Sequence, residues 1–361
     1  MIKKKKIFAF HLLNDRSGSP KVLRQVLIHM AESHNVNICT SMYLNGFLSN
    51  IDNVNYHNNR YLFKKNKWLR LVYLLFSQFY VMFIMYTKIQ KNDLVYVNTV
   101  LPFGGALLGR IKGCEVIYHI HETTVNPSIL KWILFKIVQN TASKIINVSK
   151  YVQQAHNISA VPNYLVYNAI NQEFLDQVPT FIEKSKYPKN VLMICSLKEY
   201  KGVLEFIKLA NLNQDLNFRL VLNASSLEVE GFFKQVRTTN NVQLFPSQEN
   251  VHPFYEWADV VLNLSKPEGW VETFGLTIIE GMAYGLPAIV PPVGGILEVI
   301  EEGVTGYAVN ANHVEEVSER LRRILHQDNY TSFSKASLKR IEQFKEDKLK
   351  LSISTIINNE K

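Results

Sequence analysis

Hydrophobic positions along the chain fall into short apolar runs, separated by stretches in which apolar residues recur at helical spacing. Ile7 to Leu13 is such a run; Asn-Asp-Arg-Ser-Gly-Ser-Pro follows, and then Val22, Leu23, Val26, Leu27 and Met30 mark one face of a helix. Residues 36–41, 94–98, 115–121 and 144–149 each read as a buried strand, with helical candidates between several of them. The pattern restarts at Asn190 and continues through strands near 218–222, 242–245, 259–264 and 287–290. Strands alternating with helices predict an α/β protein with two doubly wound parallel sheets. Between them Pro162, Pro179 and Pro188 punctuate a polar segment with little periodicity, the expected linker. The tail from about Tyr330 to Lys361 reads as polar helix.

One segment does not fit the alternation. Trp68 to Tyr86 is apolar nearly all round, broken by Arg70, Ser77 and Gln78, with Lys64, Lys65 and Lys67 before it and Lys88 and Lys91 after. Its uninterrupted part is short of the roughly 20 residues of a membrane span. A core helix and an interfacial helix both suit it.

Composition narrows the class without reaching a function. The 361 residues suffice for two domains, and 47% apolar with 20% charged residues excludes a disordered or fibrous chain. The net charge of +9 is unevenly spread: residues 1–180 carry 20 Lys/Arg against 8 Asp/Glu, while residues 181–361 carry 20 against 23. The basic half therefore meets something anionic, whether a phosphate-bearing substrate, a membrane surface or nucleic acid. Cys39, Cys114 and Cys195 have neither the number for a disulfide framework nor metal-site spacing, and read as thiols of a reducing compartment. Met1-Ile-Lys-Lys-Lys-Lys looks like the start of a signal peptide, but the apolar run ends by Leu13 without a small-residue cleavage site. It reads instead as a lead-in to the first strand of a cytoplasmic protein.

Candidate chemistry concentrates in residues 267–298. Thr273 suits a helix N-cap, Gly275 allows close approach to the backbone, and Leu276, Ile279, Met282 and Ala283 give a buried helix face, so a helix is expected near Phe274. Its first amides would form an anion pocket. Glu272 and Glu280 flank that pocket with seven residues between them. Carboxylates there would repel phosphate, so their natural role is to accept hydrogen bonds from sugar hydroxyls. The plainer reading makes Glu272 a helix-start residue and Glu280 a solvated one.

With Phe274-Gly275-Leu276 between the glutamates, then Gly281-Met-Ala-x-Gly-x-Pro, Pro292-Val-Gly-Gly-Ile-x-Glu298 and Gly303-x-x-Gly306, the sequence resembles retaining glycosyltransferases of the GT-B fold, family 4. Val148-Ser149-Lys150, Tyr167-Asn168-Ala169-Ile170 and Lys201-Gly202-Val203 extend the resemblance along most of the chain. It implies two Rossmann-like domains facing a central cleft: 1–165 on the acceptor side, a linker at 166–188, and a nucleotide-sugar-binding domain at 189–344. A C-terminal helix of about 345–361 is expected to return to the first domain.

Carried over by position, Glu272 sits by the donor sugar, Glu280 holds the ribose, and the amides of Phe274, Gly275 and Leu276 contact sugar or diphosphate. Lys201 neutralises the leaving diphosphate, and His121 lies near the donor sugar. His119 shares its strand face, since the two alternate. Gly18 matches the family's glycine-rich first loop only in part. Where members commonly carry Gly-Arg this chain has Cys195-Ser196, which leaves Ser196 and Lys198 in the diphosphate position; a lysine does not reproduce a guanidinium fork.

The chain has no Asp-x-Asp and no metal-ligand spacing, so metal-independent transfer without a cofactor is expected. It also lacks a Gly-x-Gly-x-x-Gly opening a helix, which argues against a dehydrogenase, and nothing resembles a nucleic-acid module. The resemblance implies transfer from a nucleotide-diphosphate sugar to a glycan or lipid-linked acceptor, in bacterial cell-surface polysaccharide or lipopolysaccharide synthesis, with peripheral contact to the inner face of the plasma membrane. Two rivals keep the fold: a nucleotide-sugar epimerase or phosphorylase, and a non-catalytic membrane-docked subunit.

Overall fold

The computed structural model describes residues 4–43, 45–180 and 187–358. They divide into two units: one runs to Asn168 and takes the chain back from Leu349, and the other is Ala169–Lys348. The N-terminal unit contains strands β1 (Lys6–Phe10), β2 (Asn35–Thr40), β3 (Val54–Asn58), β4 (Leu94–Asn98), β5 (Glu115–Ile120), β6 (Lys144–Asn147) and β7 (Asn163–Leu165). Its helices are α1 (Gly18–Ala31), α2 (Lys67–Met85), α3 (Phe103–Ile111), α4 (Ser128–Thr141) and α5 (Lys150–His156). The strands form one parallel sheet in the order β3-β2-β1-β4-β5-β6-β7.

Parallel strands covered on both faces must be apolar throughout, which is why β4 is buried at every position. The edge strand β3 escapes the hydropathy pattern because it is only half-buried and polar at alternate positions. Helices α2, α3 and α4 lie side by side over one sheet face, where Val81, Met85, Ala106, Leu108, Leu134 and Val138 pack on Phe8, Val95 and Tyr118.

The segment Trp68–Tyr86 is thus neither wholly core nor wholly surface. Leu74, Ser77, Gln78, Val81 and Met85 of α2 are buried, and the Gln78 side-chain carbonyl accepts the Gly104 N–H at 2.9 Å. The opposite face of α2 is exposed.

The second unit carries α6 (Gln172–Leu175), β8 (Asn190–Ser196), α7 (Val203–Leu212), β9 (Asn217–Asn223), α8 (Ser226–Phe233), β10 (Val242–Phe245), α9 (His252–Trp257) and β11 (Val260–Leu262). It continues with α10 (Leu276–Ala283), β12 (Ala288–Val290), β13 (Gly306–Ala308), α11 (Val314–Leu325) and α12 (Gln327–Arg340). Its parallel sheet has the order β10-β9-β8-β11-β12-β13. Met193, Phe206, Phe218, Leu220, Leu262 and Leu321 lie in its core.

Residues 181–186 of the expected linker lie outside the described residues. Within 166–180, Phe174 is buried and its ring lies tilted against His252, centroids 4.2 Å apart, so this part of the segment is packed into the second unit. The tail is two helices rather than one. After α12 a 3-10 turn at Ile341–Phe344 leads into α13 (Glu346–Asn358), because the chain here pairs with Ile170, whose N–H donates to the Phe344 carbonyl at 2.9 Å. α13 then lies on the first unit: Lys5 and Lys144 donate to the carbonyls of Ile357 and Ile356, each at 2.8 Å. Lys144 is also paired with Glu115 at 2.6 Å.

Candidate active site

In the second unit the chain leaves β8 toward β9 on one side, and returns as β11 on the other. The carboxyl ends of β8 and β11 therefore border the crevice where open parallel sheets bind ligands. β8 ends at Ser196, and beyond it come the exposed Lys198 and a 3-10 turn, Glu199–Lys201. Beyond β11 come Asn263, Ser265 and a loop that reaches Glu272.

Two contacts lock these loops together. The Lys266 N–H donates to the Tyr200 carbonyl at 2.7 Å. Gly202 adopts φ +75° against the Leu264 carbonyl, where a Cβ would collide.

The locked loops place Lys201 Nζ 2.5 Å from Glu272 Oε1, which also accepts the Ser265 hydroxyl at 2.7 Å. Burial alone would raise the Glu272 carboxyl, but the Lys201 ammonium and hydrogen bonds from Ser265 and Asn263 outweigh it and hold the group below its usual value. Gly294, at φ +111°, backs the Glu272 carbonyl so closely that a Cβ would clash with it. Trp270 stacks on Tyr200 and puts its ring 5.1 Å from Lys201 Nζ.

The helix start departs from expectation. Thr273 is not the N-cap: α10 begins at Leu276 with Gly275 as its cap residue, at φ +154°, and the first intrahelical donor is Ile278. The amides of Gly275, Leu276 and Thr277 precede that bond and carry the positive end of the helix. Phe274 lies before the helix with its ring buried edge-on against Phe344, since a phenyl group so close to a polar loop gains most by leaving water. Glu280 is not a solvated helical residue. It is buried, and its Oε2 accepts the Tyr255 hydroxyl at 2.8 Å, apart from the Lys201 pair.

His121 and Gly18 belong to the N-terminal unit, where the switch between β1 and β4 makes an equivalent crevice. His121 Nε2 lies 2.9 Å from Asn98 Oδ1, and Asn98 Nδ2 lies 3.0 Å from His11 Nδ1 and 3.3 Å from the Ser19 carbonyl in the turn opened by Gly18. One amide thus orients two imidazoles: its oxygen accepts from His121 and its NH2 donates to His11, which requires an unprotonated Nδ1 on His11. Burial lowers the imidazole pKa at His11 to about 4 and well below its usual value at His121. His119 faces the same way, 4.3 Å ring to ring from His121, but is tied to the Tyr96 hydroxyl at 2.8 Å inside the core.

Beside them Thr99, a β-branched residue at φ +73°, donates to the Glu122 carboxylate, whose pKa burial raises to about 7. Asn98, His11, Glu122, Ser265 and Tyr255 were not among the residues singled out by sequence. For the first four the only signal there was position, at or just beyond strand ends, and Tyr255, inside α9, had none.

Residues 177–343 match the family model of glycosyl transferases group 1. Over 293 residues the chain is 25% identical to N-acetyl-alpha-D-glucosaminyl L-malate synthase of Bacillus anthracis, covering 74% of either chain. It is 26% identical over 271 residues to an uncharacterized 41.2 kDa protein in the cps region of Klebsiella pneumoniae, covering 67% of this chain and 73% of that one. Among solved structures, Anabaena Alr3699/HepE in complex with UDP and glucose superposes with a TM-score of 0.77 at 17% identity, covering 99% of this chain and 100% of that one. The fold is thus GT-B, and residues 177–343, most of the second unit, are similar to glycosyl transferases group 1.

Proposed function

We propose that this chain transfers a glycosyl group from a nucleotide-diphosphate sugar, with retention at the anomeric carbon, to a glycan or lipid-linked acceptor in bacterial cell-surface polysaccharide or lipopolysaccharide synthesis. The observation that carries the reading is the Lys201–Glu272 pair at the β8/β11 crevice. Lys201 is a fixed cation where a departing diphosphate gains charge, and the start of α10 adds oriented amides. Glu280, buried and already accepting one hydroxyl, is placed to accept from a ribose. In this reading His121 hydrogen-bonds the donor sugar, and Ser196 and Lys198 border the diphosphate. No metal is needed, because Lys201 supplies the charge at the leaving group.

HepE, which shares the fold, is seen in complex with UDP and glucose, which supports a nucleotide-sugar donor. The test is a thermal-shift screen of nucleotide sugars, followed by release of nucleoside diphosphate with and without chelator and anomeric assignment of the product. A stabilising donor, chelator-resistant turnover and a retained configuration are expected. Inversion, or an epimerised donor formed without acceptor, refutes the reading.

A further inference from the structure

The outer face of α2 is a continuous apolar stripe. Trp68, Val72, Phe76, Phe79 and Phe83 succeed one another at spacings of three or four residues, with Trp68 79%, Phe79 71% and Phe83 81% exposed. Beyond α3, the first turns of α4 add Ile129, Trp132 and Ile133, also exposed. So much aromatic surface facing water is far from the scattered apolar residues of an ordinary exterior.

The rim of this face is predominantly positive. Residues 53–92 contain seven Lys/Arg and no Asp/Glu, and α4 adds Lys131 and Lys136. The cations lie against aromatic flanks: Arg60 is 4.7 Å from the Tyr80 ring, Lys64 5.2 Å from Tyr73, Arg70 5.5 Å from Phe63 and Lys112 3.6 Å from Tyr86. Their stems cover apolar surface while their charged ends stay at its edge.

We infer that the α2–α4 face of the N-terminal unit docks on an anionic lipid bilayer, with α2 lying in the interface rather than crossing it. Two aromatic-rich helices ringed by cations match acyl chains below and anionic headgroups around them. A second copy of this chain would bring the same predominantly cationic rim against itself. Crossing is opposed by the buried face, since Gln78 is bonded to Gly104 and α2 is a working layer of the fold. The inference does not depend on the transfer reaction proposed above.

The full-length protein is mixed with vesicles of phosphatidylcholine alone, or with about 30 mol% phosphatidylglycerol, and separated by flotation. Binding to the anionic vesicles that weakens with salt is expected, together with a blue shift in emission that disappears in Trp68→Phe/Trp132→Phe. Phe79→Glu/Phe83→Glu is expected to lower the vesicle partition coefficient by about tenfold or more, and Lys64→Glu/Lys65→Glu/Lys67→Glu to remove the preference for anionic lipid. Phe79, Phe83, Lys65 and Lys67 are exposed and Lys64 is half-buried, so both variants should keep the parent thermal midpoint and nucleotide-sugar response. The inference is overturned by absence of flotation at low salt, by flotation that the substitutions leave unchanged, or by a dimer in solution that Phe79→Glu/Phe83→Glu dissociates.

Discussion

The Lys201–Glu272 pair gives the most exacting test, because it should couple stability and catalysis with different signs of additivity. At 2.5 Å, and an effective dielectric of 20, the gross attraction is about 7 kcal/mol, most of which offsets the cost of taking two ions out of water. The side chains keep 16% and 15% exposure, so removing one partner should cost about 2–3 kcal/mol, somewhat less than for a wholly buried pair. Lys201→Ala strands a carboxylate, and Glu272→Ala strands an ammonium. The double variant strands neither and should recover about 2 kcal/mol relative to the sum of the singles.

The measurement is urea denaturation of the four variants in a Trp68→Phe/Trp132→Phe background, where Trp257 and Trp270 report on the second unit. Turnover should behave differently: Lys201→Ala lowers kcat by about 100-fold while KM for the donor changes little, since the ammonium is already neutralised before the leaving group develops charge. A coupling below about 0.5 kcal/mol, or a loss confined to KM, refutes the reasoning.

Acidification should destabilise the protein. The folded imidazoles of His11, His119 and His156, lowered to about 4, 3 and 4, refuse protons that the unfolded chain accepts below 6.5. The stability they confer is therefore complete above that value and falls as the pH drops toward 4, by about 3 kcal/mol for His11 alone. Glu122, raised to about 7, works in the opposite sense because its contribution is lost as the pH rises from 4.5 to 7. The histidines outnumber it, so the thermal midpoint should fall between pH 7 and 5; a flat or rising profile counts against neutral burial. Glu280→Ala should raise donor KM about tenfold or more, whereas Tyr255→Phe should cost about 1 kcal/mol of stability and weaken donor binding less, as binding isotherms would show. Gly294→Ala should lose about 2 kcal/mol and most activity, because its Cβ meets the Glu272 carbonyl. Lys144→Met should destabilise by about 2 kcal/mol, leaving Glu115 and the Ile356 carbonyl without the ammonium, with faster hydrogen exchange in α13 as the readout.

The sheets were legible because parallel strands must be apolar on both faces, and runs such as Leu94–Asn98 leave no other reading. The half-buried edge β3 hid for the same reason, since one polar face breaks the signal. The helix start at 273–276 was misread through local rules. A threonine favours a cap, but burial of Phe274 against Phe344 and the glycine backbone at 275 moved the helix to Leu276. Motif residues Lys201 and Glu272, 71 positions apart, came together as a pair. Asn98 and His11 are 87 apart in a network without any local motif, so only the sheet order could reveal them.

That sheet order also resolves where the positive charge of the N-terminal half resides. Its crevice at β1/β4 is lined by His11, Asn98 and His121, an amide between two imidazoles that burial keeps neutral. A neutral, desolvated cluster is a poor attractor of anions at long range, but it is well suited to oriented hydrogen bonds with uncharged hydroxyls. In the second unit the cation of the crevice is compensated by Glu272. Neither crevice accounts for an excess of 12 positive charges in residues 1–180. The excess collects instead where no acidic residue interrupts it, from Arg60 to Lys91 around the exposed face of α2. In the proposed reading, attraction and chemistry are thus separated in this chain: charge brings a surface to the protein, and largely neutral sites act on what that surface delivers.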